Sequence, residues 1–548
     1  MNDADRAQGL ADRFWEELLE REPTFATAIG DERYDDRLPD IGEEGRALSE
    51  TRNRAALDEL ATIDREGLDV TLRTTMDVLE AIATQALAAL AHRTDRLYVA
   101  NHFVGPGVVL GDIASIQRTD TSEHLDRYEQ RLRAFPGYLE ACAEIAREGI
   151  STGVVSPRTV VERAVAQVER IVAMPAEEAP PLAAAAEDDA AARERIVGAW
   201  NEALAPAFAR FLDVLRDYLP HAAESNAVTD LPGGEDIYAT EIQSWTTLPL
   251  DPREVHELGH QRWEAIQGER FEVAARLGYG DPAEAMADRK TSGEDTPASA
   301  EALVELVEDQ VRRSWEIAPR WFGRLPKANC RVREIEAYRA ADMAGAFYMP
   351  PTADGERPGT YYINTHDLPG KALHQIAAVT YHEANPGHHF QIALEMEFDE
   401  RPSLRRFGGL LAGSSFAEGW GLYSERLADE MGLYLDDWER LGMLAGQAHR
   451  AARLITDTGL HAFGWSRDDA VEKLVAGGSP RGESEVEVDR YIALPAQALA
   501  YMVGMVEIEE ARRRTEEKQG GAFDLRGFHD RLLALGQLPL PALRRELG

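Results

Sequence analysis

The chain has 548 residues, with 97 acidic against 59 basic side chains, a formal net charge of −38 and only five lysines. So negative a balance argues against nucleic acid and anionic membranes as partners, since both need concentrated positive charge, and its arginine-over-lysine, carboxylate-rich make-up looks like that of a protein from a high-salt cytoplasm, where ions screen self-repulsion. Two cysteines, Cys142 and Cys330, exclude a disulfide framework, while the polar opening Met1-Asn2-Asp3-Ala4-Asp5 and the lack of an uninterrupted run of about 18 apolar residues point to a cytoplasmic chain without a membrane span.

Helical patterning runs the length of the chain, so the expected fold class is mainly α. One large domain is expected, with approximate lobes at 1–250 and 251–548 around a deep cleft. The Pro- and Ala-rich stretch Met174 to Ala192 and the polar stretch Gly280 to Thr296 read as loops or linkers.

Between these two stretches lies a perfect HExxH, His256-Glu257-Leu258-Gly259-His260. Residues i and i+4 of a helix are about 40° apart and roughly 6 Å along it, which lets two imidazoles share one zinc ion. Its flanks, Pro252-Arg253-Glu254 and Gln261-Arg262, are those of a solvated helix face, whereas a catalytic metal helix is normally walled in by apolar packing. The motif is therefore read as a surface helix.

Further on, Gly345 to Pro351 and Gly359 to Asn364 flank an Asp354-Gly355 turn signal and read as a β-hairpin. It either presents an edge strand to a peptide substrate, with Asn364 holding an amide, or merely closes the core. The segment after it, Ala372 to Leu394, has no lysine or arginine and only one acidic residue, Glu383, among His382, His388 and His389. A buried carboxylate needs a partner or a metal.

On an unbroken helix His388 lies about 240° round and roughly 9 Å along from His382, too far to share one ion. Pro386 lacks an N–H and clashes with the carbonyl four residues back, and Gly387 is conformationally free, so the helix is expected to distort and return His388 to the metal side. His388 ranks above His389 as a ligand for this reason.

A catalytic zinc needs a third protein ligand. Glu418, in Ser414-Ser415-Phe416-Ala417-Glu418-Gly419-Trp420, is the leading candidate, and Glu425, seven residues on, is either a carboxylate behind the ligands, a substrate-facing one or an exposed helix residue. Arg450, Arg453, Asp457 and His461 form a polar stripe on an apolar helix. His461, oriented by Asp457, is expected either to assist at the oxyanion or the substrate carboxylate, or to be part of a buried network. Tyr501 is the better oxyanion donor, and Arg490 and Tyr491 are candidates for a peptide carboxylate.

His382-Glu383-x-x-Pro386-Gly387-His388, then Glu418-Gly419-Trp420, Tyr423 and Glu425, resembles the domain of unknown function 885 family, placed among the gluzincin-type zinc metallopeptidases. Phe14-Trp15, Gly30-Asp31, Tyr361-Tyr362-Ile363-Asn364, Asp457 to His461 and Arg490-Tyr491…Pro495-Ala496-Gln497-Ala498…Tyr501…Gly504 look like family blocks, which spreads the resemblance over nearly the whole chain. It implies His382, His388 and Glu418 as zinc ligands, Glu383 as the base that deprotonates a zinc-bound water, and a substrate-side place for Gln497. Short peptides are the expected substrates, by similarity to helical oligopeptidases with an enclosed groove. Ala496 stands where the family usually has glycine, which matters if positive φ is needed there. The other readings are a metal-dependent amidase on non-peptide substrates and a non-catalytic helical binding protein with a vestigial metal site.

Overall fold

A computed structural model describes residues 2–335, 340, 345–352 and 357–548. The chain is mainly α-helical, as its patterning implies, with one small sheet among the described residues. It divides into two compact units. The first takes residues 1–241 and regains 460–467 and 485–495; the second takes 242–459, 468–484 and 496–548. The first unit thus includes two segments from late in the chain.

The first unit is built on the helix Ser122–Thr152. Thr121 caps its start, accepting from His124 N–H at 3.1 Å, and Gly153 ends it in the left-handed region at φ 75°. Leu125, Tyr128, Leu132, Phe135, Leu139 and Cys142 recur every three or four residues and are all buried, and Trp200, Phe208 and Phe211 join the same core. That periodicity is what makes the segment an amphipathic helix.

Of the two expected loops, Met174 to Ala192 holds short 3-10 turns before a helix begins at Ala190. The Gly280 to Thr296 stretch instead contains the helix Pro282–Ser292: Asp281 caps it, Pro282 opens it and Gly293 closes it at φ 78°. Polar composition hid a well-punctuated helix.

In the second unit, β1 (Arg331–Glu334), β2 (Ala346–Met349) and β3 (Thr360–Ile363) form a sheet of order β1-β3-β2. β2 and β3 pair antiparallel, Ala346 opposite Ile363 and Met349 opposite Thr360, as a hairpin requires. The Asp354-Gly355 turn lies outside the described residues. β1, which pairs parallel with β3, was not expected. Tyr361 and Ile363 of β3 pack with Ile376 and Ala384 and with Leu303, Val307 and Val311 of the helix Ala300–Ile317.

Candidate metal centre

The helix Leu373–Glu383 delivers His382 and Glu383, then stops; a second helix, His388–Met396, starts at His388. The expected distortion is a complete break, with a cis bond between Asn385 and Pro386. Gly387 has φ −77°, so glycine is not needed for a left-handed angle. It is needed for closeness: a Cβ there would lie 1.9 Å from the carbonyl oxygen of His382 and 2.4 Å from that of Tyr381. The chain doubles back against the end of its own helix, and His388 comes to face His382 with ring centroids 4.7 Å apart.

His389 points elsewhere. Its Nδ1 lies 3.0 Å from the Tyr348 hydroxyl and its Nε2 donates to the Ala328 carbonyl at 3.0 Å. Burial pushes its pKa down to about 4, in keeping with a neutral ring that accepts at one nitrogen and donates at the other.

The helix Ser415–Glu430 completes the cluster. Glu418 Oε2 lies 3.4 Å from His382 Nε2 and 3.6 Å from His388 Nε2, yet among the described residues it hydrogen-bonds to neither. The three atoms converge on one point. Ligand atoms 2.0–2.1 Å from a tetrahedral zinc stand roughly 3.3 Å apart, so this donor set fits the ion. Ligand atoms of His382, Glu383 and His388 also lie within 4.8 Å of one another, which puts the Glu383 carboxylate at the same centre. His382, His388 and Glu418 would hold the metal; Glu383, half-buried, would stand beside it.

Charge agrees with that fit. Burial alone would lower the pKa of His382, but Glu418 and Glu425 outweigh it and raise the imidazole to about 10. Burial would raise Glu418, but the two imidazoles hold it well below the usual carboxylate range. Carboxylates packed around imidazoles are a site for a cation.

One helix makes this possible through its small residues. A Cβ on Gly421 would lie 2.7 Å from the His382 ring, so glycine there seats the imidazole between Glu418, three residues back, and Glu425, four residues on. Glu425 is 2% exposed, and its Oε1 lies 2.9 Å from His382 Nδ1. It thus orients the His382 ring from behind and is not an exposed residue. Gln447, one turn before the expected polar stripe, donates to Glu425 Oε2 at 3.1 Å and had escaped notice. A Cβ on Gly419 would lie 2.3 Å from backbone of Gly504, so the helix Ala500–Gln519 packs directly on this one. The glycines near Glu418 therefore admit a ring and a neighbouring backbone.

That packing brings Tyr501 against His382, rings stacked at 6.4 Å, with the Arg453 guanidinium 4.7 Å over the tyrosine ring. Gln497 is buried in the turn that leads into this helix. Ala496 sits at φ 66°, so this chain places a methyl-bearing residue in the left-handed region that favours glycine. Both Asp457 oxygens accept from its N–H, at 3.2 and 3.1 Å. Asp457 thus fixes a turn, which corrects the expectation that it orients His461.

Other expected site residues are engaged elsewhere. His461, fully buried in the first unit, accepts from Val228 N–H at Nδ1 and donates to the Tyr491 carbonyl from Nε2, which favours the buried-network alternative. Tyr491 is 1% exposed and its hydroxyl donates to Glu487, while Arg490 lies 3.6 Å from the same carboxylate. Asn364 donates to the Ala340 carbonyl and accepts from His366 N–H, so its amide closes the fold at the end of β3 instead of waiting for a substrate.

The regular motif is a packed helix face. Thr458 Oγ1 donates to the Leu454 carbonyl and stands 2.8 Å from His256 Nδ1, which is then the donor. A Cβ on Gly259 would lie 2.8 Å from Leu454 and Ile455, so that glycine is a helix-packing residue of the helix Pro252–Arg276. Val255, Gly259 and Ile266 are buried, so the helix is only partly solvated. Among the described residues, the only centre where three or more such side chains are placed to share an ion is the one around His382 and His388.

Fold and site together define a mainly α-helical protein with a histidine–carboxylate centre on a broken helix. The chain belongs to the family described as bacterial protein of unknown function, DUF885, whose model matches residues 23–547. No curated protein matches it. The crystal structure of a "putative lipoprotein" from Colwellia psychrerythraea is similar at 23% identity and TM-score 0.93, covering 100% of this chain and 99% of that one. A "putative lipoprotein of unknown function" from Shewanella oneidensis is similar at 18% identity and TM-score 0.75, covering 98% of each. At these identities the likeness shows the fold.

Proposed function

We propose that the protein is a zinc-dependent peptidase of the gluzincin type acting on short peptides. The observation that carries the reading is the approach of Glu418 Oε2 to both imidazole nitrogens, at 3.4 and 3.6 Å, without a hydrogen bond to either. Side-chain exposures of 12% at His388 and 19% at Glu418 leave the centre partly open to solvent. A bound zinc ion would supply Lewis acidity toward a scissile carbonyl and make a water acidic near neutral pH.

The chain's own groups then divide the work. Glu383 accepts a proton from the attacking water at its carboxylate and passes it to the leaving amine nitrogen. Tyr501, half-buried beside His382, donates its hydroxyl to the carbonyl oxygen as charge builds there. Glu425 holds His382 in one orientation. β2, at the edge of the sheet and tied to His389 through Tyr348, offers a backbone along which an extended peptide can pair.

The test is hydrolysis of a mixed peptide library in high salt by zinc-loaded and chelator-stripped protein, with Glu418→Ala alongside. Cleavage that needs zinc and Glu418 is expected; cleavage indifferent to both would sink the reading. The acidic, lysine-poor composition supports a high-salt cytoplasm as the setting. The two neighbours are described as lipoproteins, which sets a membrane-tethered location against this one. Cell fractionation separates the two.

A further inference from the structure

His388 opens a new helix, so no preceding helical turn fixes its place relative to His382. Its position depends on the break formed by residues 385–387. That break has few means of holding itself: Pro386 has no N–H, Gly387 has no side chain, and both amide atoms of the buried Asn385 lack a partner among the described residues. The Gly387 carbonyl accepts from Gln391 N–H at 3.1 Å, but that of Pro386 needs a donor from elsewhere, since an orphaned acceptor inside the protein is costly.

That donor comes from the helix that carries Glu418. Trp420 Nε1–H donates to the Pro386 carbonyl at 2.9 Å and lies 3.3 Å from that of Gly387. Ser424, one turn further on, donates its hydroxyl to the same Pro386 oxygen at 3.3 Å. Trp420 is fully buried, and its ring is packed among Phe322, Tyr423 and His529, so the donor cannot swing away. One rigid helix thus supplies Glu418, seats His382 at Gly421 and grips the segment that presents His388.

We infer that Trp420, assisted by Ser424, is a positioning residue for the metal centre: its grip on the Pro386 carbonyl sets where His388 stands. The inference rests on the metal-site reading above. A Trp that only filled the core would need its ring but not its N–H, and Phe keeps a ring while removing the donor.

The experiment loads the metal-free full chain with cobalt(II), whose visible absorption reports coordination geometry, and measures affinity by zinc competition. Circular dichroism checks the fold of each variant. Trp420→Phe is expected to bind about tenfold more weakly than wild type, the scale on which orienting partners act, with an altered visible band. Ser424→Ala should shift both in the same direction by less. Folded Trp420→Phe and Ser424→Ala with wild-type affinity and an unchanged band would overturn the inference. If Trp420→Phe does not fold, Ser424→Ala decides alone. Wild-type protein that takes up no cobalt would defeat the metal-site reading, and this inference with it, whereas cobalt uptake with wild-type behaviour in the variants defeats this inference only.

Discussion

His382 Nδ1 lies 2.9 Å from Glu425 Oε1, and Gln447 holds the other oxygen of that carboxylate at 3.1 Å. The pair fixes the imidazole so that Nε2 faces the common point with His388 and Glu418. Glu425→Ala removes the acceptor and is expected to weaken zinc binding by roughly 10- to 100-fold. Glu425→Gln, which keeps an acceptor oxygen, should lose less. Competition against a chromophoric chelator measures both, and wild-type affinity in the alanine variant would mean that packing on Gly421 alone orients His382.

Asp295 caps the helix Leu373–Glu383 from outside. Ala372, at its N-cap, has no capping side chain, and Asp295 supplies the acceptors instead: its carbonyl takes Leu373 N–H at 2.9 Å and its carboxylate takes His374 N–H at 3.0 Å and faces His374 Nδ1 at 2.7 Å. Asp295→Ala should cost about 1–2 kcal/mol of stability, as loss of a good cap does, and Asp295→Asn less. Urea unfolding of metal-free protein reads this, and a cost below about 0.3 kcal/mol would show that the cap is replaceable by water.

Ala496 occupies the left-handed region at φ 66°, where a Cβ costs roughly 1–2 kcal/mol. Glycine removes that cost but gives the unfolded chain about 0.4–1 kcal/mol more freedom. Ala496→Gly is therefore expected to stabilise by a few tenths to about 1 kcal/mol. A clear loss of stability in denaturant unfolding would contradict the strain assigned to this position.

His461 and His529 are both held near pKa 4, by burial first, with the Tyr491 and Trp321 carbonyls working the other way. Each accepts a hydrogen bond on one ring nitrogen, from Val228 N–H and the Tyr423 hydroxyl, and so must stay neutral to keep it. Unfolded histidines take up a proton near pH 6.5. Their stabilising contribution is thus complete above about pH 6.5 and is lost as pH falls towards 4, with a slope approaching about two protons. Urea unfolding across that window in constant high salt measures the slope, and His529→Asn should remove about one proton from it. A flat profile would refute the assignment.

Much of the centre was legible because its chemistry stands out against an apolar background. Glu383, Glu418 and Glu425 are ionisable groups in runs that otherwise bury, and a proline and glycine between two histidines announce a break. What stayed hidden depends on partners distant in sequence. Nothing in Asn364 or His461 foretells that backbone groups of Ala340, His366, Val228 and Tyr491 satisfy them. β1 is short and charged and pairs with a strand almost thirty residues later, so no local alternation marks it. Gly259 reads as part of a metal motif and is a packing contact, which only the neighbouring helix reveals.

The most direct test of the central claim pairs Glu383→Gln with Glu257→Gln, each assayed in high salt for bound zinc and for cleavage of a mixed peptide library. Glu383→Gln is expected to keep its zinc and lose cleavage, since it removes the proton acceptor and spares the three proposed ligands, while Glu257→Gln changes neither. Loss of cleavage from Glu257→Gln, with Glu383→Gln fully active, would contradict it and move the centre to the other histidine pair.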